Sequence, residues 1–224
     1  MAQIIVINSV NRLTGKTMLA AHLAVMLAAD YQTAVLDSAP AESPLAFFIA
    51  KRYNLNLNKN YNLPVPPYYS LQKEKFEELN KTCDVLILDS PEEKYLQYAD
   101  ILITPLRGAE GLNAISTADS LYAAFIWEAK KKRAALGKNA FRWIVCPNDN
   151  FIPEEINKLV SAGKILGFQL APRLQQRAEY AEGLKNGVTV LDKDQPALKT
   201  LFDLPDLYAR RELKRFAAFI WPEK

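Results

Sequence analysis

Short, uninterrupted apolar runs, many of them rich in Val and Ile, recur along the chain and alternate with longer amphipathic or charged stretches. A run of this kind is typical of a strand that is buried on both faces of a parallel sheet. The alternation predicts an α/β fold in which a doubly wound, mostly parallel sheet is flanked by helices, with one domain over residues 1–224. Strands are predicted at 4–7, 33–37, 84–89, 101–105, 141–146 and 168–171, and helices at 18–29, 43–53, 71–80, 92–98, 108–132, 153–163, 174–184 and 205–221. The segment 54–70 is predicted to be a long loop or a short excursion at the sheet edge.

The composition narrows the class of protein without naming a function. Half of the 224 residues are hydrophobic and the formal net charge is +3, so an anionic partner is permitted but not implied. Cys83 and Cys146 have no metal-like spacing, and we expect two reduced core thiols rather than a disulfide or zinc site. No apolar stretch reaches the roughly 18 residues of a membrane span, and the N-terminus lacks the features of a signal peptide. These features lead us to expect a cytoplasmic protein.

The strongest chemical motif is a Gly-Lys-Thr tripeptide at residues 15–17, between the first predicted strand and the first predicted helix. Backbone N–H groups at a helix N-terminus lack partners and attract phosphate, which is the basis of a phosphate-binding loop. In such a loop Lys16 contacts the β- and γ-phosphates of a nucleotide, and the Thr17 hydroxyl binds Mg²⁺. The alternative is an ordinary loop that begins a helix. The predicted nucleotide-binding residues of this segment are Thr14, Gly15, Lys16, Thr17 and Met18.

Several further segments, in order along the chain, resemble the ParA/MinD family of P-loop ATPases, and most closely its MipZ-type branch. Residues 83–91 resemble the Walker B strand, which in the family ends Asp-Thr/Ser-Pro. The resemblance implies a P-loop NTPase fold, ATP or ADP with Mg²⁺ as cofactors, a nucleotide-dependent homodimer and a protein partner of unknown identity. The other segments that carry the resemblance are 8–27, 99–106, 167–172 with Arg177, 187–192 and 209–213.

Two further site residues follow from the resemblance. It implies that Asp89 holds a Mg²⁺-bound water; the alternative is a carboxylate that caps the turn after its strand. It also implies that Asn148, just after the fifth predicted strand, reads the adenine base; the alternative is a turn asparagine in Pro-Asn-Asp-Asn.

The phosphate loop departs from the family pattern, which makes its Walker A motif degenerate. A standard P-loop has its first glycine where this chain has Val10, and the family's variant has a lysine at Asn11 and glycines at Arg12 and Leu13. The missing lysine is the one that the family extends across the dimer to the partner's nucleotide. Glycine permits positive φ and close approach of the backbone, so Arg12 and Leu13 make the phosphate cradle harder to form.

The second predicted strand is also altered at its end. The family has Asp-x-Asp-Pro there, and its second aspartate orients the attacking water; here the segment is Asp37-Ser38-Ala39-Pro40. Asp37 is the remaining candidate for a catalytic carboxylate, although the resemblance more often implies a Mg²⁺-side or structural role for it. We therefore expect slow or absent hydrolysis by a ParA/MipZ-like protein for DNA partitioning or intracellular positioning. The alternative is a pseudo-ATPase that serves as a nucleotide-independent scaffold; a biosynthetic P-loop enzyme is disfavoured.

Two basic clusters could contact an anionic partner. Residues 130–133 are four consecutive basic residues, which we interpret as a solvated face near a helix end. The last predicted helix is amphipathic and could dock on the domain, on DNA phosphates in a nucleoid-associated protein, or on a membrane surface beside Trp221. The candidates for non-specific DNA contact on this helix are Arg210, Arg211, Lys214 and Arg215.

Overall fold

A single parallel sheet forms the centre of the computed structural model, which describes residues 1–9, 11–39, 43–59, 61–90, 92–117, 120–148, 150–192 and 207–221. Its strands lie in the order β3-β2-β4-β1-β5-β6-β7, and every described pair is parallel. The doubly wound α/β prediction is therefore confirmed. The strands are β1 (Gln3–Ile7), β2 (Thr33–Asp37), β3 (Tyr68–Ser70), β4 (Val85–Asp89), β5 (Ile101–Leu106), β6 (Arg142–Pro147) and β7 (Gln169–Leu170).

Helices cover both faces of the sheet because consecutive residues of each central strand point to opposite sides. In β1, Ile4 and Val6 pack into one buried apolar cluster, whereas Ile5 and Ile7 pack into the other. Both faces are dry, which explains why the central strands lack polar alternation. The helices are α1 (Lys16–Leu27), α2 (Pro44–Lys59), α3 (Lys73–Thr82), a short 3-10 helix (Glu93–Tyr98), α4 (Gly108–Ile115), α5 (Leu121–Ala135), α6 (Pro153–Leu166), α7 (Ala178–Asn186) and α8 (Leu207–Ile220).

The register of the central strands brings the chemistry together at one edge. Asp89, the last residue of β4, lies opposite Ile7 of β1 and Asp37 of β2. The carboxyl ends of these three strands therefore meet beside the N-terminus of α1. Ligands of open α/β sheets bind at this edge.

The prediction of a long loop over 54–70 was wrong, and the alternative of a short excursion at the sheet edge holds only for the end of the segment. Helix α2 continues to Lys59, and residues 68–70 form the edge strand β3. Part of this segment is held by non-local contacts: the partly buried Leu55 packs against the cluster of Leu63 and Val188. Asn56 donates to the Leu63 carbonyl and accepts from its N–H (2.9 and 3.0 Å), so its amide is satisfied within the segment. These contacts outweigh the poor helix propensity of asparagine.

The long helix predicted at 108–132 is divided in two. Helix α4 ends at Ile115 and α5 begins at Leu121, where the Ser120 hydroxyl accepts a bond of 3.1 Å from the N–H of Ala123. A serine N-cap of this kind satisfies one of the unpartnered N–H groups and starts a new helix. Several positions that entered the sequence argument lie outside the described residues: Val10, Pro40, Pro91, Asp149 and the start of the last predicted helix at 205–206.

The basic run at 130–133 is not uniformly a solvated face, because Arg133 is buried. Its guanidinium lies 2.5 Å from a carboxylate oxygen of Asp100 and also donates to the Asn139 and Gln97 carbonyls. Lys131 and Lys132 are exposed, as the interpretation required. A helical period places every third or fourth residue inward, so one member of the run faces the core.

Helix α8 docks on the domain through its apolar side. Ala209, Leu213, Phe216 and Ile220 are buried in the cluster that α1 shares. Docking of α8 on the domain does not exclude contact with DNA or with a membrane surface, because the opposite side of the helix stays exposed. Within the described residues, no helix is both long enough and apolar enough to span a membrane. Both cysteines are free thiols, and burial raises the pKa of Cys146 well above its ordinary value.

Candidate nucleotide site

The loop between β1 and α1 ends in a glycine that no other residue could replace without strain. Gly15 precedes α1 with φ 93°, in the left-handed region. A Cβ built on Gly15 would lie 2.2 Å from Nδ2 of Asn148, which is closer than any real contact. Positive φ and close approach of a neighbouring group are the two reasons for a glycine in a phosphate loop. Both hold at this position.

Lys16 begins α1 and turns its ammonium back into the loop. Its Nζ donates to Oγ of Ser9 (2.8 Å) and to the carbonyl of Asn11 (3.1 Å). The Ser9 hydroxyl also bonds the Thr14 hydroxyl (2.8 Å) and donates to the Asn11 carbonyl, so the loop is wound around the lysine. Burial is the main cause that lowers the pKa of Lys16, opposed by the nearby Asp89 carboxylate. The lysine therefore lies inside the loop, as a phosphate-binding role requires.

Thr17 and Asp89 form the pair expected of a Mg²⁺ site. The Thr17 hydroxyl donates to Oδ2 of Asp89 at 2.8 Å, which joins the N-terminus of α1 to the end of β4. Burial is the main cause that raises the pKa of Asp89 to about 6; the neighbouring Asp37 adds to it, while Thr17 and Lys16 oppose it. Hydroxyl and carboxylate oxygens are ligands that Mg²⁺ prefers. A cation at this point would also relieve the cost of the buried negative charge.

The protein alone does not supply a full set of metal ligands. No cluster of three or more His, Cys, Asp or Glu side chains that could hold a metal ion occurs among the described residues. Mg²⁺ in nucleotide sites is bound by one or two protein groups together with substrate phosphates and waters. Thr17 and Asp89 fit that kind of site.

Asp37 is occupied by structural contacts. Its carboxylate accepts from the backbone N–H of Ala39 (2.8 Å), from the Ser43 hydroxyl and from the Tyr68 hydroxyl (3.2 Å). Ser43 in turn accepts from the N–H groups of Leu45 and Ala46 in the first turn of α2. Asp37 thus fixes the ends of the segment that joins β2 to α2, and Ala39 offers no side-chain acceptor to a water there.

Tyr68 is a site residue that the sequence argument missed. Its hydroxyl lies beside Asp37 at the edge of the site, and burial raises its pKa to about 12, with further contributions from Asp37 and Asp89. The phenol therefore stays protonated and donates to the carboxylate. The sequence signal for it is an aromatic pair at 68–69, in the segment where the sequence predicts a long loop or a short excursion at the sheet edge.

Leu13 holds a backbone conformation that favours glycine. Its φ is 58°, and its side chain is 84% exposed. Left-handed backbone costs a residue with a Cβ on the order of 1–2 kcal/mol. The loop therefore keeps a glycine-like shape at a position where the family has glycine.

Arg107 contacts this strained residue and was also missed. Its Nη1 donates to the Leu13 carbonyl at 3.2 Å, although the two residues are far apart in sequence. Arg107 is the first residue after β5, and the end of a parallel strand is where a functional side chain is expected. That position is the signal that could have found it.

Asn148 lies against the phosphate loop rather than in a detached turn. Its Nδ2 donates to the Thr14 carbonyl at 2.5 Å, and its backbone N–H donates to the Leu106 carbonyl at 2.8 Å. The side chain thus lies at the rim of the phosphate site. Adenine recognition by this residue stays a prediction.

A buried polar network supports the loop from below. The Tyr122 hydroxyl bonds Thr104 (3.0 Å) and Oδ1 of Asn8 (3.1 Å), and Asn8 donates to the Ser90 carbonyl (2.9 Å). The indole of Trp143 donates to the same Thr104 hydroxyl at 3.0 Å. Buried polar groups that are fully partnered make a local arrangement rigid. Asn8 precedes the loop, so its position is fixed.

The four basic residues predicted on the last helix do not share one environment. Arg211, Lys214 and Arg215 are exposed on the outer side of α8, whereas Arg210 is half-buried at its flank. Glu212, between them, accepts a bond of 2.6 Å from Arg177 and is partly buried. The exposed face is therefore basic.

A scan against protein-family models matches residues 73–220 to the ATPase MipZ family. The chain belongs to the MipZ family of ATPases. The matched segment covers more than half of the chain and begins after the phosphate loop, so the Walker B strand and everything up to α8 lie inside it. No curated protein sequence matched the chain.

Solved structures of ParA/MinD-type proteins share the fold at low sequence identity. Apo McdA from Cyanothece is 18% identical with a TM-score of 0.62, covering 95% of this chain and 100% of its own. MinD from Aquifex aeolicus is 15% identical with a TM-score of 0.63, covering 100% and 98%. MinD from Pyrococcus horikoshii with Mg-ADP is 15% identical with a TM-score of 0.61, covering 99% and 97%. The P-loop NTPase fold of the chain is thereby confirmed.

Proposed function

We propose that this protein binds ATP or ADP together with Mg²⁺ and acts as an atypical ParA/MipZ-like positioning or partition ATPase. The observation that carries the proposal is the 2.8 Å bond between Thr17 and Asp89, placed beside the Lys16 ammonium at the start of α1. The helix N-terminus and the Lys16 ammonium attract the phosphates of the nucleotide, and Mg²⁺ would link those phosphates to Thr17 and Asp89. Among the fold relatives, MinD from Pyrococcus horikoshii is described with Mg-ADP and a McdA variant from Cyanothece with ATP.

Hydrolysis by this site is proposed to be slow or absent. The position of the trans-acting lysine is held by Asn11, and the position of the water-orienting carboxylate by Ala39. Asp37 is bound to Ser43, Tyr68 and the backbone, so it does not replace the missing acceptor. A trans cation alone can contribute about 10³-fold or more to phosphoryl transfer. Binding and hydrolysis therefore separate in this chain.

An ATP titration tests the binding half of the proposal. We expect Lys16→Ala to weaken Mg-ATP affinity by at least tenfold, because a desolvated charge-assisted contact to phosphate is lost. Thr17→Ala should weaken binding in Mg²⁺ but leave the residual affinity in EDTA unchanged. Lys214→Ala, an exposed lysine on α8, is the matched control. Equal affinities for the wild type and Lys16→Ala would end the proposal.

We further propose that the protein dimerises when nucleotide is bound and that it contacts DNA. The exposed face of α8 carries three of the four candidate residues, and phosphate neutralisation by such a face gives salt-sensitive, sequence-independent binding. A protein with these properties would be cytoplasmic and nucleoid-associated, and it would dimerise with ATP and recruit a protein partner. Aquifex MinD is described in complex with MinC.

A fluorescence-polarisation titration with duplex DNA tests the α8 face. Neutralising the exposed face of α8 should weaken DNA binding about tenfold near physiological salt. It should also reduce the magnitude of the slope of log K against log salt concentration by about two to three. A control variant that removes three exposed lysines elsewhere should bind as the wild type does. The test variant is Arg211→Gln with Lys214→Gln and Arg215→Gln, and the control is Lys73→Gln with Lys81→Gln and Lys164→Gln.

A second candidate function is a nucleotide-independent scaffold with a P-loop fold. The observation that favours it is that the loop is closed by its own contacts: Lys16 is held by Ser9 and Asn11, and the Asn148 amide lies over Gly15. A ligand at about 30-fold or greater excess over its Kd stabilises the native state by roughly 2 kcal/mol. A rise of that size in the free energy of unfolding with Mg-ATP would exclude the scaffold.

A further inference from the structure

A cavity of about 300 Å³ lies beside the phosphate loop, on the side that faces α5. This volume is at the lower end of the range for small-molecule sites. Gly15, Thr17 and Asn148, which face the proposed nucleotide, do not line it, so the cavity and the phosphate cradle share only Lys16 and the first part of the loop. The side chains that define its chemistry are Arg12, Lys16, Glu93, Leu121, Tyr122 and Phe125.

Positive charge dominates one wall of the cavity. The Lys16 ammonium has three N–H donors, and two of them are bound to Ser9 and Asn11 within the described part of the chain. Arg12 adds an exposed guanidinium close enough to lower the pKa of Lys16, after burial as the main cause. Leu121 and Tyr122 contribute the first turn of α5, a 15-residue helix whose N-terminal end is electropositive. This wall would attract an anion.

The lining also offers apolar surface and one negative charge. Leu121 is 72% exposed at the mouth, and Phe125 packs partly against the core. Glu93, on the 3-10 helix that follows β4, lies on the exposed rim. A carboxylate at the rim repels a phosphate dianion more than a monoanion, and it can accept a hydrogen bond from a ligand hydroxyl or amine.

From this arrangement we propose that the cavity binds a small organic carboxylate with a flat apolar body, as a second ligand site next to the nucleotide. The carboxylate contacts Lys16 and Arg12, and the apolar body lies against Leu121 and Phe125. The site does not depend on nucleotide binding, because Glu93 on the 3-10 helix and Leu121 and Phe125 on α5 lie outside the phosphate loop.

Calorimetric titration of the full chain with benzoate is the direct test. Benzoate combines the proposed charge and shape, whereas benzamide keeps the shape without the charge. We expect benzoate to bind with a Kd on the order of 1 mM, and benzamide and phenyl phosphate to bind at least fivefold more weakly. Equal binding of benzoate and benzamide would overturn the proposal, and so would tighter binding of phenyl phosphate.

Two exposed positions give variants that leave the core untouched. Arg12→Gln should raise the benzoate Kd about fivefold, since an exposed charge-assisted contact is lost. Lys131→Gln removes an exposed positive charge near the other end of α5 and should change nothing. Leu121→Glu places a carboxylate at the mouth and should also weaken binding. Leu136→Glu, at the other end of α5, is its control. A benzoate Kd that is unchanged in both test variants would place the ligand elsewhere.

Saturating Mg-ADP separates this site from the nucleotide site. Benzoate should still bind in its presence, with at most a small change in Kd, because Gly15, Thr17 and Asn148 of the phosphate cradle do not line the cavity. Complete competition would mean that benzoate occupies the phosphate cradle and that there is no second site. A protein that binds benzoate but no nucleotide would contradict the proposed function and leave the carboxylate site standing.

Discussion

Two buried ionisable groups, His22 on α1 and Asp89 beside the first turn of α1, should give stability changes of opposite sign as the pH falls. His22 is 1% exposed; its Nδ1 bonds the Met18 carbonyl at 2.8 Å, and its ring packs edge-on against Tyr180. Burial is the main cause that lowers the pKa of His22 from 6.5 to about 4. Within the described residues, Nε2 has no hydrogen-bond partner. Asp89 behaves in the opposite way, since its pKa is raised from 3.8 to about 6.

The sign of each effect follows from which state binds the proton. Between pH 6.5 and 4 the unfolded chain protonates His22 while the native chain does not, so acidification favours unfolding by about 1.4 kcal/mol per pH unit. Between pH 6 and 4 the native chain protonates Asp89 while the unfolded chain does not, so acidification favours the native state. Each effect amounts to about 3 kcal/mol by pH 4. Their contributions therefore nearly cancel in the wild type.

Single substitutions should separate the two effects. His22→Leu removes the loss of stability that His22 causes on acidification. From pH 7 to pH 4, the free energy of unfolding of this variant should therefore rise by about 3 kcal/mol relative to that of the wild type. From pH 7 to pH 4, the free energy of unfolding of Asp89→Asn should fall by about 3 kcal/mol relative to that of the wild type, because the variant lacks the stabilisation that Asp89 gains on protonation. Packing changes shift the curves at every pH alike, so only the change with pH is diagnostic.

Urea unfolding followed by tryptophan fluorescence measures these differences. The titrations are run at half-unit steps from pH 7 to pH 4 in EDTA, because Mg²⁺ at Asp89 would hold its carboxylate charged. The double variant should follow the wild-type profile. A His22→Leu curve that stays parallel to the wild type within about 1 kcal/mol would refute the assignment of a buried, neutral histidine.

Three further predictions concern strain and buried charge. Leu13→Gly should raise the free energy of unfolding by about 0.5–1 kcal/mol in a denaturant titration, because the left-handed φ of 58° costs glycine nothing, whereas Leu13→Ala should give no such gain. Arg52→Met should cost about 3–5 kcal/mol in the same measurement, since it leaves Asp192 buried without the bidentate partner that now lies 2.7 and 2.8 Å away; joint replacement with Asp192→Leu should recover most of the loss. Arg133→Ala should lower the melting temperature clearly, and Lys131→Ala should not, because only Arg133 is buried.

The local hydrophobic pattern was sufficient to predict the central strands, because both faces of these strands are buried. In β4, every residue from Val85 to Asp89 is buried, and the sequence shows this as an unbroken apolar run that ends in a carboxylate. The Gly-Lys-Thr tripeptide was placed correctly for a similar reason, because the strand before it and the helix after it were both visible in the sequence. These parts of the fold depend on short-range signals.

The misplaced elements depend on contacts between distant parts of the chain. The second half of α2 is polar by composition, yet the fully buried Arg52 pairs with Asp192, 140 positions away, and also donates to the Gly187 and Pro64 carbonyls. Neither a single-sequence propensity nor a hydrophobic period reports such a pairing. Arg107 was missed for the same reason, since its contact with Leu13 joins the loop that follows β1 to the end of β5.

The phosphate loop shows which properties of the family site this chain keeps. Leu13 retains a left-handed conformation despite a cost on the order of 1–2 kcal/mol. A hydrogen bond from the charged Arg107 to its carbonyl is worth up to about 1.5–3 kcal/mol, less where solvent reaches it, so the two terms are of similar size. The loop is therefore held by contacts where the family uses glycine. Lys16, Thr17 and Asp89 lie together where α1 begins and β4 ends, as the proposed nucleotide site requires. Under the proposed function this site would bind nucleotide, while Asn11 and Ala39 would leave hydrolysis slow.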